Sequence, residues 1–444
     1  MAGRDYVIVQ EGTKPKPPNG WQEMPFSEAL QINPTVRLDR GSNYPYVDMA
    51  SVNADSRNAD SLEVREFKGG GSKFQSGDTL MARITPCLEN GKIARYQVAD
   101  HQQVAHGSTE FIVIRGRENV TDNDFAYYLT RWNEVRNYAI GQMTGTSGRQ
   151  RVPVESLDHL TVEIPPLDEQ HTIVHVLGTL DDKIELNRRM NETLEAMARA
   201  LFKSWFVDFD PVRAKMGGRW RPGESLPGLP AEHYDLFSDR LVDSELGKIP
   251  EGWEVGVLDH SIELLSGGTP KTSVPDYWGG HIPWYTAKDA PIGSDIFAMD
   301  TERMITNLGV ENSATRILDA TTTVITARGT VGRLACLGLP MAMNQTCYGI
   351  RGANGYSSYF TYWNIRTAVD ELQTRTHGTI FDTITRQTFK LVELALPPPN
   401  VALEFEGIVK PIMAHILNNQ IESRALAVIR DTLLPKLVSG EVRI

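Results

Sequence analysis

The sequence predicts an α+β fold in which two globular domains are joined by two long antiparallel coiled-coil helices, with a pseudo-two-fold internal repeat. Two observations carry this prediction. Short motifs recur at one fixed spacing, and two long stretches have apolar residues at the heptad spacing of coiled coils. The chain has 444 residues, of which 41% are hydrophobic. That length and composition allow two or three domains with packed cores.

The repeat has one constant offset. Pro18-Asn19-Gly20-Trp21 returns as Pro250-Glu251-Gly252-Trp253, and 250 − 18 is 232. Ile164-Pro165-Pro166 returns as Leu396-Pro397-Pro398 at the same offset. The helical patterns that follow the two Pro pairs also match without a gap. The chain is therefore two copies of one unit.

The regions between these motifs have diverged more and are typical of mixed α+β domains. Short strand candidates, such as Phe111–Ile114 and Thr323–Thr326, are separated by Gly, Pro, Asn and Asp. A helical stretch is expected around residues 125–138. Met81-Ala82-Arg83 weakly resembles Thr326-Ala327-Arg328, at a different offset from that of the frame. Repeated motifs at a constant offset, with more diverged regions between them, indicate two modules that present different surfaces from one scaffold.

Each Pro pair is followed by a seam with alternating steps of four and three residues, the a/d pattern of a coiled coil. The first seam comprises Ile173, Leu177, Leu180, Ile184, Asn187, Asn191, Leu194, Ala198, Leu201 and Trp205, and its copy comprises Phe405, Val409, Ile412, Ile416, Asn419, Ser423, Leu426, Arg430, Leu433 and Leu437. Both seams are apolar at the two ends and polar in the middle, so the simplest mutual burial is one helix against the other. In a two-copy chain with a long connection, an antiparallel pair would place the globular modules at opposite ends. The alternative is that each helix packs only on its own domain.

These patterns divide the chain into five segments. They are a first globular domain, a long helix, a connector, a second globular domain and a second long helix, at residues 1–164, 165–210, 211–248, 249–396 and 397–444. The connector is rich in Gly, Pro and charge, as in Met216–Gly223. This composition predicts an extended segment.

Composition restricts the partners and the compartment. The net charge of −11 does not favour generic binding to nucleic acid, which uses clustered Lys and Arg. Net charge does not locate charge, however, and a protein that docks with larger basic partners need not supply every phosphate contact. Cys87, Cys336 and Cys347 are too few and too scattered for a disulfide framework. Without a long apolar run or a leader pattern, we expect a cytoplasmic protein that does not associate with a membrane.

The sequence carries no motif for chemistry of its own, so we expect no catalytic residue, metal or cofactor in this chain. Gly69-Gly70-Gly71-Ser72-Lys73 lacks the spacing of a phosphate-binding loop and is typical of a turn. Pro397-Pro398-Pro399-Asn400 is a helix-entry signal, not the Asn/Asp-Pro-Pro-Tyr/Phe segment of adenine methyltransferases. His171 and His175 share a helix face, but no third ligand has a suitable spacing.

Four stretches carry a resemblance to a known family. They are Ile164–Gln170 with Leu180–Asn187; Leu201-Phe202-Lys203-Ser204-Trp205-Phe206-Val207-Asp208-Phe209-Asp210-Pro211-Val212; Ser244–Trp253; and Ser266–Pro270 with Tyr277–Gly280 and Ile282–Trp284. Together with the duplication, they resemble the specificity subunits of type I restriction-modification systems over nearly the whole chain.

The resemblance implies a non-catalytic subunit whose two target-recognition domains each read one half of a bipartite site in double-stranded DNA. The two helices would fix the spacer and dock two modification subunits, which use S-adenosylmethionine to methylate adenine. Two motor-nuclease restriction subunits, which use ATP and Mg, would complete the complex. Two other hypotheses stay open: a self-contained modification or restriction enzyme, and a structural adaptor that recruits partners without reading DNA.

Contacts to bases and phosphates require Arg, Lys, Asn, Gln or hydroxyl groups on accessible loops. The DNA-binding candidates are Tyr44, Lys68, Lys73, Arg83 and Lys92 in the first domain, and Lys271, Tyr285, Lys288, Arg328 and Arg333 in the second. Each of them has an alternative role as an ordinary surface charge or a packed aromatic residue. For Trp205 and Phe206 we expect helix packing or a partner surface.

Overall fold

The computed structural model describes residues 18, 20–59, 63–98, 103–291, 293, 295–375 and 383–444. Residues 1–17 of the first predicted domain and Asn19 of the first repeat motif lie outside the described residues. The fold divides into two compact units, residues 1–185 with 424–444 (unit 1) and residues 186–423 (unit 2). In the part of the chain described, no helix is both long and apolar enough to cross a membrane.

Unit 1 combines small sheets with helices. Its strands are β1 Gln22–Pro25, β2 Leu30–Ile32, β3 Asn43–Val47, β4 Glu63–Glu66, β5 Ser72–Gln75, β6 Thr79–Ala82, β7 Ile93–Arg95, β8 Val104–Gly107, β9 Phe111–Gly116 and β10 Thr161–Ile164. Its helices are α1 Phe26–Ala29, α2 Asn123–Arg131, α3 Asn133–Gly141, a 3-10 helix at Val154–His159, the first part of α4, Leu167–Phe206, and the end of α9, Pro399–Val438. The sheets have the strand orders β1-β10, β2-β9-β6-β7 and β4-β3-β8-β5.

Unit 2 repeats this composition. Its strands are β11 Leu241–Ser244, β12 Gly247–Pro250, β13 Glu254–Val257, β14 Ile262–Ser266, β15 Trp278–Tyr285, β16 Phe297–Ala298, β17 Met304–Ile305, β18 Thr323–Thr326, β19 Leu334–Leu337, β20 Ala342–Met343, β21 Cys347–Gly352 and β22 Glu393–Leu396. Its helices are the rest of α4, α5 Asp210–Met216, α6 Asn307–Glu311, α7 Ser358–Arg375, α8 Arg386–Leu391 and most of α9, Pro399–Val438, with 3-10 helices at Ala231–Leu236, Leu258–His260, Pro275–Tyr277 and Ala287–Asp289. The sheets have the orders β11-β12, β13-β22, β14-β21-β18-β19-β16 and β17-β15-β20.

The strand topology confirms the internal repeat. The antiparallel pair β1-β10 corresponds to β13-β22, and the starts of β10 and β22, Thr161 and Glu393, are separated by the offset of the sequence repeat. The order β2-β9-β6-β7 corresponds to β14-β21-β18-β19. Strand β3 has a parallel neighbour, β8, and an antiparallel one, β4, as β15 has β20 and β17. The two copies therefore share one strand framework, although their loops differ.

A single polar side chain ties each long helix to the helix of its own domain. Gln170 of α4 accepts a hydrogen bond from the backbone N–H of Asp122, the N-cap of α2, at 2.8 Å. In unit 2, Glu406 of α9 accepts from the backbone N–H groups of Tyr359 and Phe360 in the first turn of α7, both at 3.0 Å. These contacts satisfy donors that a helix start leaves without partners. They explain why each domain sits at the beginning of a long helix.

In unit 1, the segments of α4 and α9 run antiparallel. Near the start of α4, Glu169 binds Arg443, which follows the end of α9, at 2.9 Å. Further along, Asp181 binds Arg430 at 2.7 Å, with both side chains almost completely buried. Asp181 follows Glu169 along the chain, whereas its partner Arg430 precedes Arg443. The two helix segments therefore run in opposite directions.

In unit 2, the polar middle of the seam forms hydrogen bonds between the helices. The Asn419 side-chain amide donates to Asn191 Oδ1 at 2.9 Å, and Asn187 donates to Ser423 Oγ at 3.2 Å. Buried Asn at a seam position fixes helix register at a cost in stability. The helices thus contact each other in both units, which excludes the alternative that each packs only on its own domain.

The burial of the predicted seam residues fits this pairing. Of twelve seam residues expected to form the helix pair, five are buried, namely Leu177, Asn187, Val409, Ile416 and Asn419. The others are half-buried, namely Leu180, Ile184, Leu194, Leu201, Ile412, Leu426 and Leu433. None of these described positions is exposed, so the a/d pattern identified the inward-facing side of both helices.

The connector is not the extended segment that its composition predicted. It holds α5, a 3-10 helix and the β11-β12 hairpin, and Trp220 and Phe237 are buried within it. Trp205 at the end of α4 packs edge-on against Phe237, with ring centroids 4.9 Å apart. Phe206 is buried beside it, so these two seam aromatics serve in packing. The connector's own aromatic side chains supply the apolar area that folds it, which its Gly and Pro content concealed.

Candidate nucleic-acid interface

In unit 1, the glycine loop between β4 and β5 borders an open cleft of about 370 Å³. The cations Arg65 and Lys68 and the ring of His106 line it. Gly71 has a φ of +76°, and a Cβ there would lie 2.5 Å from the carbonyl oxygen of Gly107. Only glycine therefore lets the loop approach the end of β8, where the chain crosses from one sheet to the other.

Arg65 at this cleft and Lys73 on β5 both rest on aromatic rings. The Arg65 guanidinium carbon lies 3.9 Å from the Tyr46 ring centroid, and Lys73 Nζ lies 5.2 Å from that of Phe67. Glu63 accepts two hydrogen bonds from Arg65, at 2.5 and 2.6 Å. This contact lowers the pKa of Glu63 and raises that of Arg65. The strand pair β3-β4 thus presents an arginine that is held flat and already bound to a carboxylate.

The remaining candidates of the first domain form contacts with the backbone. Arg83 donates to the carbonyl oxygen of Val152 at 2.9 Å, and Lys92 donates to that of Met49 at 2.7 Å. The Tyr44 hydroxyl accepts from a backbone N–H five residues earlier at 3.1 Å. These side chains are half-buried and hold loops in place. Contact of these three residues with DNA stays a prediction.

Sequence reasoning missed an exposed loop at residues 144–151, between α3 and the 3-10 helix. Arg149 and Arg151 are exposed on it, and Arg151 binds Glu110 at 2.7 Å. Glu110 belongs to the segment that joins β8 to β9, so the loop lies beside the crossing between the sheets. The run Gly-Thr-Ser-Gly-Arg-Gln-Arg was the available signal, because glycine and serine just before two arginines favour a loop that carries charge.

In unit 2, the corresponding strand pair also carries an arginine on an aromatic ring. The Arg303 guanidinium carbon lies 3.5 Å from the Trp278 ring centroid. The Trp284 ring stands edge-on to Trp278 at 5.1 Å and donates its Nε1–H to the carbonyl oxygen of Gly268 at 3.0 Å. Lys271 is exposed next to this cluster, and its carbonyl oxygen accepts from Trp278 Nε1 at 3.2 Å. Arg303 therefore sits on a rigid aromatic base.

Further cations surround the crossing between β20 and β21. Arg328 and Arg333 are exposed on the β18-β19 loop, and Gln345 is exposed on the crossing itself. Arg386 at the start of α8 donates to Ser266 Oγ, at the end of β14, at 3.2 Å. Unit 2 thus gathers predicted and unpredicted polar groups around one loop cluster, although the chain as a whole carries a net charge of −11.

Two candidates of the second domain differ from the others. The choice of Tyr285 was wrong, because its side chain is completely buried at the inner end of β15, where burial raises the pKa of the hydroxyl. A buried ring at that position cannot reach DNA. Lys288 is exposed and lies 3.6 Å from Glu302, so its charge is partly balanced.

Comparison with known proteins identifies this arrangement. The family model described as "Type I restriction modification DNA specificity domain" matches residues 18–196 and, again, residues 250–428. The two matches cover most of the chain, and the second begins one repeat offset after the first. The chain belongs to this family.

Two relatives of this chain match over most of their own length. The HindI type I restriction enzyme specificity subunit of Haemophilus influenzae is 28% identical over 464 residues, covering 95% of this chain and 99% of that protein. The MjaIX specificity subunit of Methanocaldococcus jannaschii is 26% identical over 326 residues, covering 72% and 69%. The crystal structure of the S subunit from M. genitalium, at 14% identity, covers 94% of this chain and 96% of that chain with a TM-score of 0.55, which shows the shared fold.

As a type I specificity subunit with two DNA specificity domains, the chain confers DNA sequence specificity and is not a catalytic subunit. The resemblance seen in four sequence stretches is thereby confirmed. The hypothesis of a self-contained modification or restriction enzyme is dropped, because the matched domains account for most of the chain.

Proposed function

We propose that this chain reads a bipartite site in double-stranded DNA, with one half-site for each of its two specificity domains. The supporting observation is a loop cluster that occurs twice. In unit 1 it surrounds the β8-β9 crossing with Arg65, Lys68 and Arg149, and in unit 2 it surrounds the β20-β21 crossing with Arg303 and Arg328. Exposed arginine, lysine and amide side chains are the groups that contact phosphates and base edges.

We further propose that the chain acts in the cytoplasm within a larger complex. It would dock two modification subunits and two restriction subunits, and the paired helices α4 and α9 would serve as the scaffold. S-adenosylmethionine, ATP and Mg would be used by those partners, not by this chain. Because the chain is acidic overall, much of the contact with phosphates would come from the partner subunits.

Footprinting of the complex tests this proposal. The chain is purified with its modification subunits and bound to DNA that contains its methylated motif, and protection from hydroxyl radicals is mapped. We expect two protected half-sites, with centres about 34–36 Å or a multiple apart. Replacing Arg328 and Arg333 together by alanine should weaken one half-site only. Binding without any sequence-dependent protection would favour the adaptor hypothesis instead.

A further inference from the structure

We infer that Arg303 is a specificity-determining residue of the second domain and reads a guanine in the major groove of its half-site. The inference rests on the proposed function, and it deepens it by naming the residue and the base. It is carried by the placement of Arg303 over Trp278 at 3.5 Å, which differs from that of the other exposed cations of unit 2.

The backbone of Arg303 is fixed from two sides. Its carbonyl oxygen accepts the backbone N–H of Trp284 at 3.0 Å and the Thr301 hydroxyl at 2.6 Å. The guanidinium then lies against the Trp278 ring, and the Trp284 ring centroid is 5.7 Å away. A cation held against an aromatic face loses little additional freedom when it binds, because its position is set beforehand.

The donors of this guanidinium remain available. Arg303 is exposed, and within the part of the chain that the structure describes no carboxylate forms an ion pair with it. Nearby Glu302 instead faces Lys288, at 3.6 Å. A planar guanidinium with free donors matches the O6 and N7 acceptors of guanine, and this pairing is the most frequent specific contact of proteins with DNA.

The first domain also holds an arginine on an aromatic ring in the corresponding strand pair, although at a different register position. Trp284 lies opposite Arg303, whereas its counterpart Tyr46 lies opposite Glu63. Arg65 on β4 stacks on Tyr46 of β3, and β3-β4 corresponds to β15-β17, which Arg303 immediately precedes. There Glu63 takes up two of the arginine donors. The fold thus places an arginine on an aromatic ring twice. Of these two described arginines, Arg65 is bound to a carboxylate and Arg303 is not. This difference is what two domains that read different bases require.

Phosphate binding would not need such a fixed side chain. A phosphate contact depends on charge within reach, which exposed Lys271, Arg328 and Arg386 can provide on loops and helix ends. Base reading depends on the orientation of two donors, which the stack on Trp278 restricts. Arg303 therefore has the geometry of the reading residue, and its neighbours have that of positioning cations.

The test is the methylated motif of a host that carries the chain with its modification subunits, read by single-molecule sequencing of adenine methylation. For R303A we expect the preference for guanine at one position of the second half-site to fall roughly 5- to 150-fold, with the first half-site unchanged. R303K keeps the charge but lacks the planar pair of donors, so it should lose the preference as well.

R351A is the matched control. Arg351 is an arginine on β21 whose side chain is 37% exposed and ion-paired with Asp319 at 2.7 Å, and it lies at the opposite end of the strand from the β20-β21 crossing. Its loss should leave the motif unchanged. Circular dichroism of all variants confirms that they fold.

Two results would overturn the inference. One is an unchanged motif in R303A. The other is a uniform loss of methylation at all sites that R303K restores, because this is the behaviour of a phosphate contact. Failure of the proposed function is distinct, since the wild-type chain itself would then direct no motif.

Discussion

Replacing Asp181 by alanine should destabilise unit 1 by about 3 kcal/mol or more, because a buried arginine then loses its main partner. Asp181 and Arg430 are 4% and 3% exposed, and their side chains meet at 2.7 Å. The Tyr128 hydroxyl donates to the other carboxylate oxygen, also at 2.7 Å, and burial raises the pKa of this hydroxyl so that it stays protonated. The substitution therefore leaves a buried hydroxyl without its acceptor and removes one of the two carboxylates that bind a buried cation.

The magnitude follows from these contacts. Removing one partner of a buried ion pair costs about 3–5 kcal/mol, and a buried hydroxyl without an acceptor costs about 1–3 kcal/mol. Arg430 keeps a second carboxylate, since Asp431 binds it at 2.8 Å, but the Asp431 side chain is 57% exposed. Because this solvated partner offsets part of the loss, we expect D181A to lower the free energy of unfolding by about 3 kcal/mol, the lower end of the range for a broken buried ion pair.

Hydrogen exchange and denaturant unfolding measure the effect. In D181A, protection should fall in α2 and in the first half of α4, and unfolding should begin at lower denaturant. The matched control is R240A, which breaks an exposed ion pair between Arg240 and Glu251 at 2.6 Å and should cost at most about 1 kcal/mol. Replacing Asp181 and Arg430 together by leucine and methionine should restore much of the stability. A loss in D181A no larger than that in R240A would refute the reasoning.

Three further predictions concern the seam, the thiols and the domains. Asn191→Ala should destabilise unit 2 by about 1–3 kcal/mol in denaturant unfolding, because the buried amide of Asn419 loses its acceptor; a neutral result would show that this contact is not formed. Cys336 and Cys347 should resist a maleimide at pH 8 in the folded chain and react in urea, because burial raises both thiol pKa values, that of Cys347 to about 11; rapid labelling of the folded chain would contradict their burial. Exchanging residues 18–160 for the equivalent domain of a relative should change one half of the methylated motif, and a change in both halves would show that the domains do not read independently.

The frame of this fold was predictable because its elements lie at a constant spacing. The fixed offset between the two copies and the a/d periodicity identify α4 and α9 directly. The strand pairs β1-β10 and β13-β22 lie beside the repeated motifs, but their pairing was not predicted. The ion pair of Asp181 and Arg430 was not predictable, because its members lie 249 residues apart and a seam pattern only records polarity. The folded connector was missed because its Gly and Pro content concealed the packing of Trp220 on Tyr234 and Phe237 of the same segment.

The candidate site was less accessible to sequence reasoning, because its side chains come from loops that the offset does not align. Lys68, Arg328 and Arg333 lie exposed in loops, as the charge and glycine pattern indicated. The prediction that Tyr285 contacts DNA was wrong because the last four residues of β15 are all buried, which the sequence of a single strand does not reveal. Arg303 was missed because its distinguishing feature is the Trp278 ring beneath it, and sequence spacing does not show stacking.

The central claim is that this chain selects the DNA sequence for its complex. The most direct test is single-molecule sequencing of adenine methylation in a host that carries the chain with its modification subunits, compared with a deletion of this chain alone. We expect a bipartite motif with a fixed spacer that disappears on deletion. Methylation at an unchanged motif in the deletion strain would contradict the assignment of DNA specificity to this chain.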